Sequence, residues 1–218
     1  LYPYDKIQSM ANFKKVYWIP ELNSKIGYIE NYYNDPEKQE EVRKSLELVR
    51  NEITAQNKVY PKLAYAGAEN LVFGTVTDQD FQALKDYLKL QRTFYNKLHN
   101  RTLDDRDDAI NYLTKDANIN FTEAKNNYRN QALSDLVSNK LEISHIIQYQ
   151  GRLIPQENPI YRDSESINSH FFAPQKKFFG NYIKTFWVNI VVIWLMTMTL
   201  IITLFLDFFR KIMNLFDR

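Results

Sequence analysis

The sequence predicts a mainly α protein, a helical bundle-like domain followed by one C-terminal transmembrane helix. Three observations carry that expectation. Thr185 to Leu206 make 22 consecutive residues without a formal charge. Upstream, two stripes of apolar residues recur at three- and four-residue spacing, the signature of helices with one buried face. Finally, 15 Tyr and 14 Phe stand against 5 Gly and 7 Pro in 218 residues, which favours packed, aromatic-rich helices over a turn-rich sheet.

The first stripe follows "NDPEKQEEVRKSLELVRNEITAQNKVY". Asp35 is expected to cap, Pro36 to take the first helical position and Glu37 to face the positive end of the dipole. Val42, Leu46, Val49 and Ile53 then line one face. "YPKLAYAGAENLVFGTVT", with Pro61, Gly67 and Gly74, reads as a connector holding a short strand or helical turn. A second helix starts near Asp78 as cap and carries Phe81, Leu84, Leu88, Gln91, Tyr95 and Leu98 at heptad spacing. The two stripes are expected to pair antiparallel inside one bundle rather than between chains, because the heptads barely outlast three repeats.

A third helical block is expected from Leu103 to Ile147, with a stripe of Phe121, Ala124, Tyr128, Ala132 and Leu136. The segment "QYQGRLIPQENPIYRDSES", with Gly151, Pro155 and Pro159, then reads as extended or as a short hairpin. No internal repeat is apparent.

Composition excludes several functions. A net charge of +2 provides no basic surplus for nucleic acid, and the absence of Cys removes disulfides, thiolate metal sites and thiol catalysis. His99, His145 and His170 lie far apart and form no ligand pattern, so no metal is expected. The five glycines never make a phosphate-cradling loop, and no Gly-x-Ser-x-Gly elbow occurs, so no catalytic residue and no cofactor is assigned to this chain. The acidic run Asp104, Asp105, Arg106, Asp107, Asp108 has the composition of a cation or acid–base site. Placed at the start of the third block, it is explained by the helix dipole alone.

The charge-free run is roughly 33 Å long as a helix, against a hydrocarbon core of about 30 Å. Its competitor is the core helix of a soluble protein; its position at the C-terminal end excludes a signal peptide. Asn189, Thr197, Thr199 and Thr203 interrupt it as candidates for helix contacts or a translocation path, with back-bonding to the helix as their structural alternative. Trp187, Lys176, Lys177 and Lys184 on one side, and Arg210 and Lys211 on the other, suit the membrane interfaces. The chain thus divides into a helical soluble domain (1–175), an interfacial aromatic and basic segment (176–184), the span (185–206) and a charged tail (207–218). Residue 1 is Leu, and the chain reads as a piece of a longer product.

The run "NPIYRDSES…HFFAPQKKFFGNYIKTFWVNIVVIWLMTMTLIITLFLDFFRKI" resembles the C-terminal end of the large fused ABC transporters of Bacteroidota, in which one polypeptide carries an ATP-binding cassette and a six-span permease. "SDLVSNKLEISHIIQYQGRLIPQENPIYRD" is similar to the segment leading to their last span, and the likeness is strongest from about Leu133 to Leu215. The resemblance implies an exporter fragment made of the last extracytoplasmic loop and the final permease helix. It also implies an upstream cassette binding ATP and Mg, a dimer, partners among the remaining spans and the bilayer, and residence in the inner membrane with the soluble domain periplasmic. A stand-alone, tail-anchored adaptor that binds a protein partner is the rival reading.

Overall fold

The computed structural model describes residues 1–115, 119–128, 130–139, 141–162, 173–178 and 180–205, and it opens with helix ahead of the first expected stripe. Helix α1 (Tyr2–Phe13) runs through a π-helical stretch (Lys14–Trp18) into α2 (Ile19–Tyr32). Pro20 accounts for that stretch: it has no N–H for the carbonyl four residues back, and its ring crowds that carbonyl, so a wider turn passes beneath it. Ala11, Trp18, Leu22, Ile26 and Ile29 are all fully buried along it, at spacings of seven, four, four and three residues.

Helix α3 (Gln39–Val59) buries Val42, Leu46, Val49 and Ile53, as their spacing predicts. Its start differs from the expectation. Asp35 accepts the Glu37 amide at 3.0 Å and Pro36 sits in a turn, so the helix proper begins only at Gln39. Helix α4 (Asp78–Lys115) spans 38 residues and buries Phe81, Leu84, Leu88, Gln91 and Tyr95, with Leu98 half-buried. Its cap is Thr77 rather than Asp78: Asp80 accepts the Thr77 amide at 2.9 Å while its own amide reaches the Thr77 hydroxyl at 3.3 Å, a capping box with Asp in the third position.

Tyr28 bonds Glu41 and Trp18 bonds Glu52, so α2 and α3 are antiparallel. Lys85 pairs with Glu30 at 2.6 Å and Arg106 with Asp5 at 3.2 Å, so α4 is antiparallel to the same α1–α2 rod. It follows that α3 and α4 run parallel, which corrects the antiparallel expectation. The connector between them therefore has to travel back along the bundle. Two 3₁₀ turns (Pro61–Leu63 and Ala66–Asn70) bring it along, and it buries Ala68, Leu71 and Val76 on the way. Near its end the Tyr33 hydroxyl accepts the Gly74 amide at 2.9 Å.

The acidic run also lies elsewhere than expected. It sits inside α4, not at a helix start, and Arg106 ties it to α1 while Arg101 and Asp105 face each other one turn apart. The third block is broken into α5 (Phe121–Tyr128) and α6 (Gln131–Ser138), with Asn130 capping α6 by accepting the Leu133 amide at 3.0 Å. The expected stripe is not buried: Ala132 and Leu136 are exposed, and α6 ends at Asn139 in the left-handed region. The hairpin expectation holds. Strands β1 (Ile146–Tyr149) and β2 (Arg152–Pro155) are antiparallel, and Gln150 and Gly151 both take positive φ between them, as a two-residue hairpin turn requires.

These elements form one of two compact units, Leu1–Tyr161; the other is Arg162–Arg218. In the second unit, β3 (Gln175–Phe178) and β4 (Asn181–Lys184) form another antiparallel hairpin, followed directly by α7 (Thr185–Phe205).

Candidate functional site

Helix α7 has 21 residues, a mean hydropathy of 2.3 and no buried residue. By length and composition it is able to cross a membrane. Within its own unit most of its apolar side chains are exposed. Its start is pinned by its own unit: the Thr185 amide donates to the Pro174 carbonyl at 3.0 Å, and the Thr185 hydroxyl donates to the Ala173 carbonyl at 2.6 Å.

Lys176, Lys177 and Lys184 stand on the β3–β4 hairpin. The register pairs Gln175 with Lys184 and Lys177 with Tyr182, so Lys177, Tyr182 and Lys184 share one face, with the Lys177 ammonium 5.9 Å from the Tyr182 ring. Lys176 pairs with Ile183 on the other face. Trp187 is exposed in the first turn of α7, edge-on to Phe186 at 5.3 Å. Arg210, Lys211, Leu206 and the charged tail lie outside the described residues, as do His170, Phe171, Phe172 and Phe179.

The hydroxyls of Thr197 and Thr199 donate to the carbonyls of Ile193 and Leu195 at 2.9 and 2.8 Å, and Thr203 donates to Leu200 at 2.8 Å. Each hydroxyl proton is thus placed within the helix. Asn189 is exposed, and its side chain is the one with two donors and an acceptor to offer a neighbour.

The helical unit holds a polar centre that the sequence did not single out. Glu52, 3% exposed, accepts the Trp18 indole N–H at 2.6 Å, the Arg152 Nε–H at 2.7 Å and the Leu153 amide at 3.0 Å. Lys14 lies 3.6 Å from the Trp18 ring. Burial pushes the Lys14 ammonium down to about 7; Glu52 opposes that shift and Arg152 adds to it. Beside them, His145 stacks on Tyr17 at 4.5 Å, and burial, aided by Glu157, raises the Tyr17 phenol. The π-helical stretch thus presents Lys14, Tyr17 and Trp18 to α3 and the first hairpin together. The one available signal was Glu52 itself, a carboxylate one position before Ile53 in the apolar stripe.

This centre is a clamp, not a reactive site. With three donors on its oxygens, Glu52 has little capacity left to act as a base. A second buried network joins α3 to α4, where Gln56 donates to the Tyr95 hydroxyl at 2.6 Å and Gln91 donates to the Leu63 carbonyl at 3.3 Å. Burial raises Tyr95 and Tyr87, the latter to about 12. Among the described residues no three His, Asp or Glu side chains are placed to hold a metal ion.

Structure and site together define a helical domain with a buried ionic clamp, and a separate unit in which a hairpin leads into a membrane-length helix. No family model, no curated protein and no solved structure matches the chain.

Proposed function

We propose that this chain belongs to the membrane-spanning part of an ABC exporter, with the helical unit as its last extracytoplasmic loop domain and α7 as its final permease helix. The observation that carries the reading is the charge-free, membrane-length α7 that follows the helical unit in the chain. The likeness of Leu133–Leu215 to fused transporters of Bacteroidota supports the particular family.

One feature of α7 favours a packed permease helix over a plain anchor. Thr185, Asn189, Val192, Met196, Thr199 and Thr203 recur at alternating spacings of four and three, which places them along one seam. An anchor needs only hydrophobicity, whereas a helix packed against other spans needs small or polar contacts on one side. Thr197 lies off that seam and reads as back-bonded structure. In this reading ATP and Mg bind an upstream cassette, cassette closure moves the permease halves of a dimer, and this chain holds neither ligand. The cassette faces the cytoplasm, the helical unit faces the periplasm, and the bilayer is the inner membrane.

The test replaces Thr185–Phe205 in the full-length protein by an unrelated apolar helix of equal length, with insertion verified before export and ATP hydrolysis are measured. Loss of export with insertion retained supports a permease helix. Full export, or a full-length product without ATPase activity, favours a tail-anchored adaptor instead.

A further inference from the structure

The π-helical stretch opens a groove against α4. Lys15, Val16 and Pro20 form one wall and Arg92 and Asn96 the other, around about 350 Å³. Neither Lys15 nor Arg92 makes an ion pair among the described residues, in contrast to Lys25, Lys38, Lys44, Lys85, Lys89 and Arg106. The nearest acid along the rod, Glu21, faces Lys25 instead.

A second observation concerns His99, in the same row of α4 as Arg92 and Asn96 at spacings of four and three. Burial lowers its pKa and the positive charge of Lys15 lowers it further, with the Gln8 backbone opposing. The Lys15 ammonium is therefore felt at α4 instead of being dissipated in solvent. The Nδ1 atom of His99 is buried without a hydrogen-bond partner among the described residues. The groove thus holds positive charge without an ion-pair partner among the described residues, with a guanidinium fork, a flexible ammonium and a carboxamide donor beside the apolar Val16 and Pro20.

We infer that this groove is a binding site for a phosphate group. Arg92 supplies two parallel donors, Lys15 a point charge, and the Asn96 carboxamide a neutral donor. A planar carboxylate is satisfied by the guanidinium alone, whereas the several oxygens of a phosphate use all three groups. The same chemistry is offered by free inorganic phosphate and by the headgroup of an anionic phospholipid. The inference stands independently of the exporter reading.

The experiment uses the full chain in nanodiscs of phosphatidylcholine, near neutral pH and at low salt. Inorganic phosphate is titrated calorimetrically while the His99 ring protons are followed by NMR. A saturable isotherm with a matching His99 shift is expected, weakened about tenfold by Arg92→Gln or Lys15→Gln and unchanged by Lys44→Gln at a distant exposed cation. In a second arm, phosphatidylglycerol is added to the discs without free phosphate. A His99 shift in that arm alone, abolished by Arg92→Gln, assigns the phosphate to a lipid headgroup and upholds the site. Absence of binding in both arms overturns it. So does binding that Arg92→Gln and Lys15→Gln leave as tight as Lys44→Gln does.

Discussion

Glu52 connects three distant parts of the chain through four oxygen lone pairs. Trp18, Arg152 and the Leu153 amide fill three of them, and its charge faces both Arg152 and Lys14. Glu52→Gln should lower the unfolding free energy by about 1–3 kcal/mol, the cost of weakening hydrogen bonds to a buried charged group whose Arg152 partner is itself partly solvated. Urea denaturation followed by Trp fluorescence measures it, and a variant as stable as the parent would make the cluster incidental. Lys14 sets a pH signature. Its pKa falls from 10.5 to about 7 on folding, so between those values the unfolded chain binds the additional proton and stability rises with pH. Tyr28, held up to about 12 first by its bond to Glu41, and Tyr87, held up to about 12 by burial, act in the opposite sense. Above about pH 10 the unfolded tyrosines ionise while the native ones stay protonated, and stability falls again. Stability should therefore climb from pH 7 toward pH 9–10, and Lys14→Met should flatten that climb; an unchanged slope in the variant would remove Lys14 as its source.

At the scale of elements, α7 was the easiest to read, since length and absence of charge require no tertiary context. An arginine at Ile193, midway along it, should raise the apparent free energy of insertion by about 2.5–3.5 kcal/mol, read from glycosylation-tagged translocation in microsomes. Unchanged insertion would show that α7 is not a span. The stripes of α3 and α4 were legible for the same reason: each is a straight helix with one constant buried face. The α1–α2 rod carries such a stripe too, Trp18, Leu22, Ile26 and Ile29 at spacings of four, four and three, but Pro20 in its middle reads as a helix breaker. The expected stripe through α5 and α6 misled for another reason. Asn130 reads in sequence as one more polar helix residue, but its side chain caps a new helix and divides the stripe. The Glu52 clamp was out of reach altogether, since its partners lie 34 and 100 residues away along the chain.

At the scale of the molecule, the helical unit has a core cluster of its own, which among the described residues runs from Ala11 on α1 to Leu153 on β2. A chain ending at Tyr161 should be monomeric without detergent, give a helical circular dichroism spectrum and melt in one transition. Aggregation or a gradual melt would mean that the unit needs the rest of the protein. The same core has a consequence in time. Glu52 leaves the ribosome 100 residues before the arginine that neutralises it, an interval of roughly 5–20 s at ordinary rates of synthesis. Throughout that interval the carboxylate has only the Trp18 indole of its three donors, and only when the first hairpin emerges is it covered. Thr185 follows Leu153 by some thirty residues, so the domain gains its last contact just before the membrane-length segment appears. Nascent chains stalled short of Arg152 should be cut rapidly by protease, and chains stalled beyond Tyr161 should resist.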